Sequence, residues 1–427
     1  MILTSKKEIF FFYNLPVFLF SLIPLLLITG PFLSDLSVSL ISVLFLIYCS
    51  KRNNFSYFNN KYFYFFLIFW IYLVLNSLFN NFNLDSLKIS FFYFRYGVFV
   101  IAVLTLMLLN DRILKYFFWC TFFCFIILVV DGYYQYFVGE TIFGWKNKDI
   151  YRLSSFFGNE LILGSYLSRL WPIFFGLSIL IFKRNDKLFF LLIIIFILSE
   201  VLIFLTGERS SFFFINLSAI FVILFSKKLF KLRLITLFSS LILLILIAQF
   251  NPNAKVRMID HTLDQINLTK QNNNEGSKKF YYFSKEHDHL YTTAYKIFLD
   301  NKIFGVGVKN FRVFCKIEKY GISQYHCSTH PHNFYIQILT ETGIVGFVFL
   351  IIILLYFFKK IKKHTIYKLK GKILFSFFEI CLLSGILIYL WPFIPTGSVF
   401  NNWINITMYL YFPFLLWAKN KRGFISN

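Results

Sequence analysis

Hydrophobic positions in this chain do not alternate with polar ones; they run together. Apolar stretches of about 20 residues, the length a helix needs to cross a hydrocarbon core, recur along nearly the whole sequence. Backbone in lipid must satisfy its own hydrogen bonds, so runs of this kind fold as helices. About twelve are predicted, near 9–29, 34–50, 62–79, 90–109, 115–137, 161–182, 187–206, 210–226, 234–250, 333–357, 373–391 and 401–418. The expected class is an all-α polytopic membrane protein. The first run, around Ile9 to Ile28, is longer than the apolar core of a cleavable signal and has no small-residue cleavage site, so it reads as a permanent span.

The polar positions between the runs set the expected orientation. Lys6-Lys7, Lys51-Arg52, Arg112 with Lys115, Lys183-Arg184, Lys227-Lys228 with Lys231, Lys359-Lys360 with Lys362-Lys363, and Lys419 to Arg422 fall on alternate loops. That is the positive-inside pattern, and it places both termini in the cytoplasm. The opposite face receives 80–89, 138–160, 207–209, 251–332 and 392–400. The division is then helices 1–9 over 1–250, one large periplasmic loop over 251–332, and helices 10–12 with a cytoplasmic end over 333–427. Composition adds one exclusion. The chain is 58% hydrophobic and 15% charged with a formal charge of +23, which invites a nucleic-acid reading. The distribution of the charge answers that reading: the excess of basic residues records topology, and no nucleic-acid partner is expected.

Within the large loop, "TKQNNNEGSKK" is polar and reads as mobile, whereas "LYTTAYKIFL" reads as a helix able to rest on the membrane surface. Cys49, Cys120, Cys124 and Cys381 lie inside apolar runs, where cysteine acts as a small hydrophobe. Cys315 and Cys327 both lie in the loop, and in an oxidising periplasm they are natural disulfide partners; two unrelated thiols are the alternative. Closing a loop of that size contributes roughly 3 kcal/mol. Six of the seven histidines are here too: His261, His287, His289, His326, His330 and His332. Their spacing, with Cys327 nearby, fits no familiar zinc motif, so no metal is expected.

"HPHNFYIQILTETGIVG", His330 to Gly346, joins polar residues to the start of an apolar helix. A helix begun at His332 puts Ile336, Leu339, Gly343 and Gly346 on the face of His332, and small residues on one stripe let a neighbouring helix approach. His332 is thus either a catalytic base at the mouth of a helix crossing or an interfacial cap. Glu341 points off that face, roughly 13 Å deeper by helix rise, and reads as a buried structural carboxylate.

"LTGERSSFF" leaves two runs separated only by a tight turn. Gly207 permits the turn, Ser210 or Ser211 can cap the next helix, and Arg209 sits at its N-terminus. A guanidinium beside free amide donors suits a phosphate or diphosphate; snorkelling to headgroups is the bland alternative. "YRLSSFFGNELILGSYL" brings Arg152, Asn159 and Glu160 to the same surface. "NKIFGVGVKNFRVFC" brings Gly305, Gly307, Asn310 and Arg312, its Gly-Val-Gly read as a tight turn. Arg95, inside the fourth run, must pair or face a polar cavity.

Together these stretches resemble the O-antigen ligase and polymerase superfamily of bacterial membrane glycosyltransferases. "HNFYIQILTETGIVG" fits the signature of His, then Asn, Ser or Gln, then nine residues and Gly-x-x-Gly, here His332, Asn333, Gly343 and Gly346. "LTGERSSF" is similar to the family's Thr-Gly-x-Arg turn, "RLSSFFGNELILGSYL" to its Arg-x-Ser-Gly-Thr-Phe-Gly-Asn stretch, and "FGVGVKNF" to the Gly-x-Gly segment before the histidine. The chain differs in Ser155, where glycine is frequent, in Glu160, where proline is frequent, and in Phe347-Val348, where a ligase-associated Thr and Trp follow.

The resemblance implies a GT-C-like fold in the bacterial inner membrane with its active site on the periplasmic face. The implied donor is a glycan on undecaprenyl diphosphate, used without cofactor or metal, and the acceptor is lipid A–core or, for a polymerase, another lipid-linked glycan. It implies His332 as the catalytic histidine and Arg209, Arg152 and, less directly, Arg312 as diphosphate ligands. Asn333, Gly343, Gly346 and Glu341 are implied to be structural near the site. A flippase for lipid-linked oligosaccharide is the alternative from another class; it would place charged residues near the bilayer midplane, whereas here the informative polar groups crowd one face.

Overall fold

A computed structural model describes residues 5–80, 82–146, 149, 151–182, 187–228, 230–250, 255–265, 281 and 283–425. The stretch "TKQNNNEGSKK" and the basic pair Lys183-Arg184 lie outside the described residues. Among those described, the architecture is all-helical, with only two isolated β-bridges, Glu140 to Lys146 and Asp149 to Arg152. The main helices are α1 (Lys6–Ile28), α2 (Pro31–Lys51), α3 (Lys61–Phe79), α4 (Leu84–Phe92), α5 (Phe94–Leu109), α6 (Arg112–Val138), α7 (Leu163–Ile181) and α8 (Lys187–Leu205). They continue with α9 (Arg209–Phe225), α10 (Phe230–Phe250), α11 (Lys285–Asp300), α12 (Phe334–Leu369), α13 (Phe377–Leu390), α14 (Asn402–Tyr409) and α15 (Tyr411–Ile425).

Among the described residues, eight helical stretches are long and apolar enough to cross a membrane. They are α1, α2, α3, α4 with α5, α6, α7, α8 and α12. Helices α9 and α13 and the Arg233–Ile247 part of α10 are apolar but shorter. The run expected at 401–418 divides at Leu410 into α14 and α15, although Leu410 itself keeps helical backbone angles (φ −58°, ψ −30°) and donates to the Ile406 carbonyl (3.1 Å). The core is aromatic: Phe20 lies 5.1 Å from Phe117 and 6.0 Å from Phe414, tying α1, α6 and α15 together.

Polar contacts sort the two ends of the bundle. At one end Lys51 and Arg52 both pair with Glu8 (2.6 and 2.7 Å), Lys421 with Asp111 (2.8 Å) and Arg422 with Glu379 (3.3 Å), while His364 bonds to the Phe225 carbonyl (2.9 Å). The candidate site residues lie at the opposite end of these helices.

The geometry expected for α12 needs a correction. It is not a straight helix, and of its glycine stripe only Gly346 meets another helix, α3 at Tyr72. Gly343 takes φ 63° and ψ −167°, which breaks the helix nine residues after it starts. The neighbour at Gly343 is the backbone of 302–307. Val306 and Gly307 donate to the Thr340 and Glu341 carbonyls (3.0 and 2.8 Å), and Ile344 and Val345 donate to Lys302 and Ile303 (2.9 and 3.3 Å). Groups freed by the kink thus find partners at once, as buried backbone requires. A Cβ on Gly305 would stand 2.6 Å from the Gly343 nitrogen, so both positions exclude side chains. The Gly-Val-Gly is therefore a docking segment as well as the start of a turn. Gly346 faces the Thr342 side chain and Tyr72.

From α3, Asn76 donates to the Phe304 carbonyl (2.7 Å) and Asn80 to the Gly305 carbonyl (2.5 Å), fixing the same segment from its other side. Helix α11 covers it, burying Leu290, Thr293, Ala294 and Ile297 against α12 and a small core with Val306, Phe311, Cys315 and Tyr320. Cys315 and Cys327 are joined by a disulfide, with Cα atoms 5.1 Å apart.

Candidate active site

His332 stands immediately before α12 in the left-handed region, φ 56°. For a residue other than glycine that costs about 1–2 kcal/mol, so surrounding contacts must hold it. They do. The His332 carbonyl accepts from Thr396 N (2.8 Å), and its Nε2 is 3.4 Å from Ser328 Oγ. The helix cap is the neighbouring Asn333, whose Oδ1 accepts from the amides of Tyr335 (2.9 Å) and Ile336 (3.2 Å) while its Nδ2 donates to Pro392 O (2.8 Å). Because Asn333 satisfies the exposed amides, the His332 ring is released from capping and turned toward two other histidines. Its centroid is 4.1 Å from that of His330 and 5.8 Å from that of His287.

All three imidazoles are held toward the neutral form. His287 is pushed down to about 4, first by burial and then by His332. His330 is pushed down to about 3 by the same causes in the same order. Burial also lowers His332. A neutral imidazole has a nitrogen lone pair able to take a proton.

Cationic groups flank this trio. Arg209 is the first residue of α9, and its electrostatic influence, like that of His332, falls on His287. Its guanidinium donates to Thr262 Oγ1 (2.9 Å) and Gln265 Oε1 (2.6 Å), both neutral acceptors on the short helix His261–Gln265. Arg152 and Arg257 lie close enough to perturb Arg209, and the Nε of each is buried without a hydrogen-bond partner among the described residues. On the other side, Lys309 and Arg312 act on His330.

Local sequence explains these positions, with one correction. The turn at Gly207 (φ 67°) forms as expected, but neither Ser210 nor Ser211 caps α9; Glu208 occupies the cap position and Ser211 Oγ donates to its carboxylate (2.9 Å). That carboxylate also accepts the Gly164 and Ser165 amides (2.7 and 2.9 Å), closing the N-terminus of α7. Burial pushes Glu208 up to about 7, with Ser211 and Arg152 acting against the rise. Arg152 is presented by a loop anchored on α6. Gln135 Oε1 accepts from Ser154 N (3.1 Å) and Ser155 N (2.8 Å), and Ser155 Oγ donates to Asp131. Ser155 has φ 48°, the conformation that glycine adopts most freely. Asn159 and Glu160 are exposed beyond it.

Glu341 sits beneath Arg312. Its carboxylate accepts the amides of Lys309 (2.9 Å) and Phe311 (3.3 Å) and the side chain of Gln337 (3.0 Å), closing the N-terminus of the helical turn Phe311–Phe314 that carries Arg312. The structure therefore gathers Arg152, Arg209, His332 and Arg312 at one end of the bundle and sets Asn333, Gly343 and Glu341 beneath them. Sequence reasoning missed Arg257, Lys309 and the role of His287. The available signal was charge outside the pattern: basic residues in the large loop belong to none of the clusters that make the expected positive-inside pattern. Among the described residues no three His, Cys, Asp or Glu side chains are grouped to hold a metal ion.

Residues 190–351 match the O-antigen ligase family. The match runs from within α8 through the kink of α12, so it holds Arg209, Arg312, His332 and Glu341, while Arg152 lies before it. No curated protein matches the chain. The apolar helices and the matched segment together mark a bacterial membrane protein with an O-antigen ligase-type region.

Proposed function

We propose that this chain, with its O-antigen ligase family segment, transfers a glycan from undecaprenyl diphosphate to lipid A–core at the periplasmic face of the inner membrane. The observation that carries the reading is the meeting of the His287, His330 and His332 rings, with Arg209 at the head of α9, at the end of the bundle opposite the basic ion pairs. In this reading α9, α10 and α13 also cross the bilayer and α14 with α15 completes the last crossing, for about twelve spans, and 251–332 is periplasmic.

Breaking the bond between an anomeric carbon and a lipid diphosphate develops negative charge on the leaving group. Fixed cations in a water-poor site stabilise that charge without reorganising. Arg209 and Arg152 take this role, with Arg257 beside them and Arg312 on the far side of the histidines. His332 accepts the proton of the attacking hydroxyl or orients it, and its neutral ring suits either task. Attack opposite the diphosphate would invert the sugar's configuration. The scheme requires no metal or cofactor.

Phe347-Val348, in place of the ligase-associated Thr and Trp, favours a second reading, a polymerase that extends lipid-linked glycan. Donor and site chemistry are common to both readings; the acceptor separates them. The test is transfer in proteoliposomes holding undecaprenyl diphosphate glycan and lipid A–core, with the native chain beside folded His332→Ala and Arg209→Ala. Glycan on lipid A–core with native protein alone supports the ligase and both residues. Longer lipid-linked chains identify the polymerase, and full activity in both variants sinks the site assignment.

A further inference from the structure

A polar cavity of about 300 Å³ lies between α2, α4, α5 and α14, and the chemistry described above does not use it. It opens at the first turns of α2, α5 and α14 and along the second half of α4: Asp35 is near the start of α2, Arg95 near the start of α5, Asn402 begins α14, and α4 contributes Ile89 and Phe92. The other end of α2 carries the Lys51–Glu8 pair, so the cavity shares the end of the bundle that holds His332.

Among the buried polar atoms of its lining, one has no partner. Arg95 donates through Nε and Nη2 to Asp35 Oδ1 (2.9 and 2.8 Å) and through Nη1 to the Phe92 carbonyl (2.6 Å). Asn402 Nδ2 donates to Asp35 Oδ2 (3.2 Å), and Tyr96 OH donates to Asn402 Oδ1 (3.4 Å). Asn405 Oδ1 accepts from Tyr93 OH (3.1 Å), but Asn405 Nδ2, on a residue only 1% exposed, has no partner. A buried donor left unpaired is costly, so a ligand acceptor placed there would recover the bond that this donor lacks.

The lining decides the ligand class. Arg95 is already neutralised by Asp35, so no free buried guanidinium awaits a phosphate. An alkyl tail would leave the Asn405 amide unsatisfied. Lys88, the other cation of the lining, is exposed and lies 3.9 Å from Asp85, so the buried part of the wall is neutral amide and hydroxyl groups between the rings of Tyr93, Tyr96 and Phe400. Hydroxyls need such donors and acceptors at their edges, and the C–H faces of a sugar ring need apolar aromatic walls. The volume lies at the small end of ligand pockets, about 300–1,000 Å³, which suits a sugar unit and not a whole lipid-linked chain.

Both walls are tied to the site at His332. Gln337, in the first turns of α12, accepts from Val399 N (3.0 Å) and donates to Ser398 Oγ (2.9 Å), which fixes the segment carrying Phe400 and Asn402. Asn83, the cap of α4, donates to Asn310 (3.3 Å), two residues before Arg312.

We propose that this cavity is a saccharide subsite that holds one sugar unit of the acceptor glycan, with Asn405 Nδ2 as its unpaired donor. The proposal rests on the glycosyltransferase reading above. It is tested with the full chain in nanodiscs, titrated with core oligosaccharide released from lipopolysaccharide and, separately, with glycan released from the donor. Asn405→Asp keeps the side chain's shape and removes the Nδ2 donor; Asn405→Leu removes both polar atoms; circular dichroism and thermal unfolding establish that each folds. The expected result is at least a tenfold loss of core-oligosaccharide affinity in both variants. In the transfer assay KM for the acceptor rises similarly while KM for the donor holds.

Unchanged affinity in a folded Asn405→Asp, or no oligosaccharide binding by the native chain, overturns the subsite. A loss confined to donor glycan overturns its assignment to the acceptor. The two readings fail separately. A native chain that transfers glycan with an acceptor KM indifferent to Asn405 sinks the subsite alone. A native chain that binds oligosaccharide through Asn405 and transfers nothing sinks the function alone.

Discussion

Glu341 Oε2 accepts the backbone N–H of Lys309 at 2.9 Å, across 32 positions of chain, and so ties the loop that carries Arg312 to the helix that carries His332. The same carboxylate receives the Phe311 amide and Gln337 Nε2, so it satisfies three donors at once. Glu341→Gln keeps the volume but turns one acceptor atom into a donor that must face an N–H. Hydrogen bonds to charged groups contribute about 1.5–3 kcal/mol each, and an unpaired amide adds its own cost. We expect unfolding stability in detergent to fall by about 2–3 kcal/mol and transfer to fall at least tenfold. A variant with native stability and native transfer would show that the loop is held elsewhere.

The kink at Gly343 gives a sharper expectation. A Cβ there would run into the Ile303 carbonyl and would impose φ 63° on a residue with a side chain. Neither neighbour can yield, since both are backbone, and strain of this kind costs about 1–3 kcal/mol before any clash is counted. Gly343→Ala should therefore free 302–307 from α12. Limited proteolysis checks it: cleavage within 301–333 should become at least tenfold faster than in the native chain, with the other helices still protected.

Two effects oppose each other at Ser155. Its left-handed backbone favours glycine by about 1 kcal/mol, but its hydroxyl donates to the Asp131 carboxylate, a charge-assisted bond of about 1.5–3 kcal/mol. The bond is the larger, so Ser155→Gly should lower stability by about 1 kcal/mol although it relieves strain. Chemical unfolding would reverse this account if the glycine variant proved more stable.

These residues also mark where the sequence was legible. Long apolar runs gave the helices because lipid permits little else, and the docked loop was readable as polar, cysteine-bearing and outside the runs. The break at Gly343 was not readable. A glycine stripe predicts close approach, but helical periodicity assumes an unbroken helix and cannot say whether a helix or a turning loop segment comes near. Likewise Asp35 drew no notice until its contact with Arg95 appeared, since that pairing spans 60 positions and no local pattern encodes it. The histidines were legible as a group but not as a trio, because His287 arrives from α11 and only folding sets it against His332 and His330.

Burial of that trio makes stability depend on pH. His287 and His330 are held to about 4 and about 3, below the ordinary 6.5 of the unfolded chain. Between those values the unfolded chain binds more protons than the native one, so acid favours unfolding. Stability should be full above pH 6.5 and fall progressively as pH drops toward 4 and then 3. His330→Gln removes one of the two groups and should shrink the fall in unfolding temperature between pH 7 and pH 4. An equal fall in native and variant would place the acid-sensitive groups elsewhere.

The role of His332 can be separated into base and positioning by the same ring. If it accepts the acceptor's proton, kcat/KM loses activity on acidification as the ring protonates. Burial lowers His332 from the ordinary 6.5, so that acid limb should appear below 6.5. Removing a general base costs about a hundred- to ten-thousandfold in rate. His332→Asn retains a polar side chain of similar reach but no titration in this range. We expect its residual activity to be lower by that factor and flat through the pH range where the native limb falls. A residual rate that keeps the native acid limb would assign the titration to another group and leave His332 a positioning residue. A rate within a few fold of native would remove it from the chemistry.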